Sequence, residues 1–314
     1  MSFKLYLART RGFCAGVERA IAVVNRALEK YGTQKVYVLH EVVHNKHVVA
    51  DLASRGAHFV ERLDEIPEPE NKVVIFSAHG VGTKTFEAAE SMAETVIDAT
   101  CPLVSRVHFK VARAAREGKE VVIIGHDGHQ EVAGTVGQYS GPESKVHVIL
   151  TPEDVANLSL TTDRALFATQ TTLSIDETAL TVNALKARFP FIEGPRRDDT
   201  CFATQNRQAA VKVLAEQCDL VIVAGSKNSS NSKRLSEVAK GVGARSFLID
   251  DCSDITDEML AGAERVGVTA GASVPEHIVQ DIIAFLKERG GSDEVIMTGD
   301  EQIHRVFPMP EGLD

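Results

Sequence analysis

Residues 98–109 read DATCPLVSRVHF, and residues 198–209 read DDTCFATQNRQA. Both place an acid, then Thr-Cys, then a run with helical spacing, and the two cysteines, Cys101 and Cys201, are 100 residues apart. A third copy, RGFCAGVERAIA at 11–22, centres on Cys14, 87 residues before Cys101. Alignment on these three cysteines organises the whole chain. Each follows a short extended run or turn: KLYLARTRGF, ETVIDAT and EGPRRDDT. Each precedes apolar residues recurring at steps of three and four, the mark of an amphipathic helix: Val17, Ala20, Ile21, Val24 and Leu28; Val104, Val107, Val111 and Ala115; Ala209, Ala210, Val213 and Leu214. A buried-type strand comes next, KVYVLH, EVVIIGH or LVIVAGS, ending 26, 25 and 25 residues past the cysteine at His40, His126 and Ser226.

The copies continue to agree. A polar loop opens a further helix in HEVVHNKHVVADLA, GHDGHQEVAGTV and GSKNSSNSKRLSEVA. Another strand then ends in small polar residues, in KVVIFSAHGVG, RALFATQTTLS and RVGVTAGASVP; His79, Thr171 and Ser273 lie there, 65, 70 and 72 residues past the cysteines. Strands alternating with helices predict an α/β protein with parallel sheets. The expected organisation is three similar units, 1–98, 99–197 and 198–285, in a pseudo-threefold trefoil, with 286–314 left over as a turn (ERGGSDEV) and an extended tail (FPMPEGLD). In such sheets functional residues gather outside the carboxyl ends of the strands, where all three signature loops fall.

Composition bounds the function. The 314 residues suffice for two or three domains, and 44% hydrophobic with 25% charged residues is ordinary for a globular protein. A net charge of -10 and the absence of Trp argue against general binding to nucleic acid or anionic membranes, but leave room for a small anionic ligand. No apolar run is long enough to span a bilayer, and the start lacks a signal-peptide layout, so the expected location is the cytoplasm. Thiols stay reduced there, and the five cysteines, an odd number, suit that better than a disulfide framework.

A cysteine just before a helix has its thiolate favoured by the helix dipole and free backbone N–H groups. Three converging thiolates would repel one another unless a cation lay between them. Thiolates select zinc, Cu(I) or iron–sulfur clusters. Structural zinc usually shows close pairs such as C-x2-C, and none is present. Three distant cysteines suit a cube-shaped cluster touched from three sides; a four-iron cluster held so would leave one iron open for substrate. Cys218 and Cys252, outside the repeat, are expected to be packing residues.

The polar loops add His44 and His79, His126, His129 and Glu131, then Ser229, Ser230, Asn231 and Ser273. Donors at helix N-termini beside glycine suit a phosphate. Lys227, Lys233 and Arg234 lie in the third loop, which lacks the Walker pattern of ATP sites. Glu131 is the candidate proton donor, with Thr171 able to pass a proton through its hydroxyl. His58, His108, His147, His277 and His304 are expected to be structural or solvated; His40, His47 and His126 would act at most behind the ligand contacts.

At this point the chain resembles the 4-hydroxy-3-methylbut-2-enyl diphosphate reductase family, the last enzyme of the non-mevalonate isoprenoid pathway. The matching stretches are RGFCAGV, HEVVHNKHVV, SAHGV, DATCPLV, GHDGHQEVAGTVGQ, ATQTTLS, DTCFATQNRQAA, GSKNSSNSKRL and AGASVP, spanning about residues 12–275. The resemblance implies a trefoil around one 4Fe–4S cluster (3Fe–4S after loss of the open iron) held by Cys14, Cys101 and Cys201. It implies a diphosphate held by His44, His79, His129, Ser229, Ser230, Asn231 and Ser273, and proton delivery by Glu131 with Thr171 and His129 in support. It implies electrons from ferredoxin or flavodoxin and reductive loss of the substrate hydroxyl, giving isopentenyl and dimethylallyl diphosphate. Two other classes share part of the pattern: a non-catalytic iron–sulfur diphosphate sensor, which has no use for Glu131, and an aconitase-like hydro-lyase, which needs no external electrons.

Overall fold

The computed structural model describes residues 2–195 and 199–313; Arg196, Arg197 and Asp198, within the run expected to lead into Cys201, lie outside the described residues. By contacts the chain divides into two compact units: Met1–Val17 with His44–Ala50 and Phe202–Val306, and Glu18–Val43 with Asp51–Cys201 and Phe307–Asp314.

The first unit is built on a five-stranded parallel sheet, in the order Arg245–Ile249, Leu220–Ala224, Arg265–Ala270, Phe3–Ala8, Gly291–Thr298. The strand beside its centre, LVIVA at Leu220–Ala224, is apolar at every position and buried at every position. A parallel strand covered by helices on both faces has no polar side to alternate with. Leu220, Ile222 and Ala224 pack in one cluster with Leu5, Leu7 and the helix Glu276–Glu288. Val221 and Val223 pack in another with Ala8 and the helices Phe202–Gln217 and Ser230–Val242. Each fully buried aliphatic side chain here contributes about 1.5–3 kcal/mol.

The second unit holds two smaller parallel sheets, His58–Val60, Val36–Leu39, Val73–Phe76, Thr95–Asp98 and Val146–Ile149, Glu120–Ile124, Ala165–Thr169. Their central strands, Val36–Leu39, Val73–Phe76 and Glu120–Ile124, are again buried throughout. The α/β class with parallel sheets is as the repeat predicts.

Three expectations need correction. Phe3–Ala8, grouped by sequence with 1–98, pairs with Arg265–Ala270 in register Leu5↔Val266 and Leu7↔Val268, and with Gly291–Thr298. Sheet membership is set by long-range register, which sequence adjacency does not reveal. Residues 286–314 are not merely a turn and tail, because Gly291–Thr298 is an edge strand; its mix of polar and half-exposed positions hides it from a hydrophobicity reading. The end of the chain is also anchored: Arg19 Nε donates to the Pro308 carbonyl, Lys30 Nζ to that of Gly312, and Leu313 is buried. Finally, Ala209 and Val213 face solvent; the buried stripe of Phe202–Gln217 runs through Ala203, Arg207, Ala210, Val211 and Leu214.

Candidate active site

All three repeat cysteines are half-buried, none is in a disulfide, and each immediately precedes a helix: Ala15–Tyr31, Pro102–Arg116 and Phe202–Gln217. Their backbones are held alike. The Cys14 amide donates to the Ala272 carbonyl at 3.2 Å, that of Cys101 to Ala78 at 3.0 Å, and that of Cys201 to Thr171 at 3.0 Å. Each cysteine is thereby tied to a strand-end turn carrying a predicted ligand residue: Ser273, His79 and Thr171 itself. Among the described residues no group of three or more His, Cys, Asp or Glu is arranged to hold a single metal ion. Cys218 is buried and its thiol is pushed up to about 12, by burial first, as suits a packing residue.

In the second unit, His129 caps the helix Gln130–Val136: its Nδ1 accepts the Glu131 amide at 3.1 Å, which leaves the ring proton of neutral His129 on Nε2. The His79 ring meets the His129 ring edge-on at 5.9 Å. Ser77 Oγ lies 3.2 Å from His79 Nδ1 and orients that ring. Glu131 itself points inward and is 4% exposed. Its carboxylate accepts the Thr171 amide at 2.6 Å and the Thr171 hydroxyl at 3.0 Å. Burial pushes this carboxyl up to about 7; the Thr171 amide and hydroxyl oppose the rise, and the negative charge of Asp199 adds to it. A buried carboxyl poised near neutrality can hold a proton and release it at working pH.

Asp199, 1% exposed, accepts the Thr169 amide at 3.1 Å and pairs with Lys110. It therefore fixes the strand end from which Thr171 reaches Glu131. Asp199 is the acid directly before Thr200 and Cys201 in the repeat, but its pairing with Lys110, 89 residues away, has no local signature.

In the first unit, Ser229 caps the helix Ser230–Val242, accepting the Ser232 amide at 3.3 Å and the Ser232 hydroxyl at 3.0 Å. Ser273 Oγ donates to the His44 carbonyl at 3.0 Å, drawing the two loops together. Asn231 is 5% exposed, yet among the described residues neither its amide nitrogen nor its amide oxygen has a hydrogen-bond partner; the Ser226 hydroxyl is likewise buried and unpartnered. Orphaned buried polar atoms are rare and costly; beside a helix N-terminus the Asn231 amide N–H and the Ser226 hydroxyl can donate to an anion. His44, Ser229, Asn231 and Ser273 thus belong to one loop cluster, and the pairs His79–His129 and Glu131–Thr171 to the other unit.

The remaining histidines sort by contact. His40 pairs with Glu61 at 2.9 Å and His47 with Asp251 at 3.1 Å. His108 is pushed down to about 4, chiefly by burial, and stays neutral in the packing. Arg207, unremarked in sequence, is fully buried and donates to the carbonyls of Gly12, Phe13 and Ala203 and to the Gln302 side chain, bracing the loop before Cys14. Its only sequence signal is a charge inside an otherwise apolar stripe.

A family model described as LytB protein matches residues 5–287. The chain belongs to the LytB protein family. Among LytB relatives, the 4-hydroxy-3-methylbut-2-enyl diphosphate reductase of Methylococcus capsulatus is 54% identical over 311 residues, covering 99% of this chain and 98% of that protein. That of Enterobacter sp. (strain 638) is 53% identical, covering 99% and 97%. A solved LytB-type structure, the E-1-hydroxy-2-methyl-but-2-enyl-4-diphosphate reductase from Plasmodium falciparum, is 33% identical with a TM-score of 0.91, covering 100% of this chain and 97% of that one. A second, described as (E)-4-hydroxy-3-methyl-but-2-enyl diphosphate reductase, the terminal enzyme of the non-mevalonate pathway, is 32% identical with a TM-score of 0.63, covering 91% and 99%.

Proposed function

We propose that the chain is a 4-hydroxy-3-methylbut-2-enyl diphosphate reductase, removing the substrate's allylic hydroxyl to give isopentenyl diphosphate and dimethylallyl diphosphate. The balance is two electrons and two protons taken up, one C–O bond broken and one water released. The observation that carries this reading is the buried Glu131, titrating at about 7 and bonded twice to Thr171.

Cys14, Cys101 and Cys201 would hold one 4Fe–4S cluster. Their chemistry fits: three half-buried thiols outside any disulfide, each at a helix start that favours the thiolate. The thiolates of a cluster bind different irons, so they need not converge on one atom. When bound, such a cluster supplies single electrons and Lewis acidity toward the hydroxyl oxygen.

The chain's own residues do the rest. Ser229, Ser230, Asn231, Ser273 and His44, with His79 and His129, would bind the diphosphate and orient the allylic carbons. Glu131 would give its proton to the departing hydroxyl, and Thr171 would hold its carboxyl in place and relay the proton. A second proton then enters at one of two carbons, which accounts for two products. The electrons would come from ferredoxin or flavodoxin, since the chain has no flavin or nicotinamide fingerprint. The cytoplasm suits reduced thiols; among the described residues no helix is long and apolar enough to cross a membrane.

The test is iron and acid-labile sulfide per chain, on protein purified without oxygen, for the wild type beside Cys201→Ser. About four of each, the number in a 4Fe–4S cluster, falling sharply in the variant, is expected. Zinc in their place, or iron and sulfide unchanged in a folded variant, would sink the reading, as would turnover without any reductant.

A further inference from the structure

We propose that Ser232 is a positioning residue that fixes the Ser229 hydroxyl as a hydrogen-bond donor and thereby makes the helix start selective for an anion. The inference rests on the diphosphate reading of this loop and adds a residue to it.

A serine hydroxyl has one proton and two lone pairs. Both lone pairs of Ser229 Oγ are engaged from one side, by the Ser232 amide at 3.3 Å and the Ser232 hydroxyl at 3.0 Å. The proton of Ser229 must then point away from Ser232, where it can only donate. Phosphate oxygens only accept. A ligand presenting a donor or a cation meets the wrong end of this hydroxyl.

Ser232 is suited to this because its hydroxyl is closely packed. It is fully buried and lies in a slot between two glycines. A Cβ on Gly271 would stand 2.0 Å from Ser232 Oγ, and one on Gly225 would stand 2.2 Å from the same atom. Gly225 also has φ of +155°, a conformation side chains rarely adopt. The Gly271 position is 3.3 Å from the orphaned Asn231 amide nitrogen as well, so the slot and the unpartnered amide adjoin.

The experiment is isothermal titration of inorganic pyrophosphate into the holoenzyme, with steady-state kinetics on the same samples. Ser229→Ala should weaken pyrophosphate by roughly 10- to 100-fold, as expected for a bond to a charged acceptor. Ser232→Ala should weaken it by about 3- to 10-fold, raising KM while leaving kcat unchanged. The double variant should be no weaker than Ser229→Ala alone, within about 2-fold, because one residue acts through the other. Gly271→Ala, which crowds the slot and leaves both serines in place, should reproduce the Ser232→Ala effect. Wild-type affinity in Ser232→Ala, or losses that add in the double variant, would overturn the role of Ser232 and leave the diphosphate site standing. Unchanged affinity in Ser229→Ala would overturn both.

Discussion

Glu131 and Thr171 form a closed pair 40 residues apart in sequence, in which one carboxylate takes both the amide and the hydroxyl of a single residue. Both side chains are buried, so the proton on Glu131 is governed by this contact and by desolvation rather than by water. Glu131→Gln keeps the shape and an acceptor for the Thr171 amide but removes the proton. Turnover should fall by about 10²–10⁴-fold, the usual span for a general acid. Pyrophosphate affinity should stay within a few-fold of wild type. A variant with wild-type turnover would remove Glu131 from the chemistry.

The same carboxyl sets a pH dependence. In the folded chain it titrates at about 7, against an ordinary value of 4.5. Turnover that needs the protonated acid should therefore decline above about pH 7, and Glu131→Gln should lose that limb. Stability moves the same way. Between the two values the folded state holds a proton that the unfolded chain has released, so stability falls as pH rises through this window. The total is roughly 3 kcal/mol at 1.36 kcal/mol per unit. Glu131→Gln should accordingly melt above wild type at pH 8 and level with it near pH 4. Parallel melting curves across that range would contradict the assignment.

Much of this was legible in the chain itself, because the repeat ties chemistry to spacing. Cys14, Cys101 and Cys201 each precede a helix and follow an extended run, and Ser229 is a helix N-cap of a type that side-chain chemistry favours. What escaped is long-range or interrupted. Phe3–Ala8 finds its partner 261 residues on, Lys4 opposite Arg265, through register alone. Gly291–Thr298 is an edge strand, half in water, and so lacks an apolar signature. Arg207 breaks the buried stripe of its helix with a charge, which displaced the apparent stripe onto the exposed Ala209 and Val213. Ser232 reads as one more polar residue in a serine-rich loop; only the glycines on either side of its hydroxyl single it out.

Lys110 and Asp199 are the strongest candidates for a stability defect without a role at the diphosphate. Asp199 is 1% exposed and Lys110 19% exposed, and burial holds the Lys110 ammonium below its ordinary range despite the pairing. Lys110→Met removes one partner and strands a buried carboxylate, which should cost about 3–5 kcal/mol. Adding Asp199→Asn should recover most of that loss, since the Asn oxygen still accepts the Thr169 amide and no charge remains buried. Chemical denaturation of the two variants tests this; a double variant less stable than the single one would refute it.

Asn231 sets function against stability. Both ends of its amide are buried without a partner, a cost of about 1–3 kcal/mol for each such group in the ligand-free chain. Asn231→Leu has similar shape, needs no hydrogen bonds and sits at the start of a helix that tolerates leucine well. Without ligand the variant should therefore melt above wild type. With pyrophosphate the order should reverse, because the wild type gains stability by binding and the variant has lost the Asn231 amide N–H donor. Calorimetry of both proteins with and without pyrophosphate checks the two halves together. A variant that melts lower in both conditions, or binds pyrophosphate as wild type does, would show that the amide is not held in reserve for an anion.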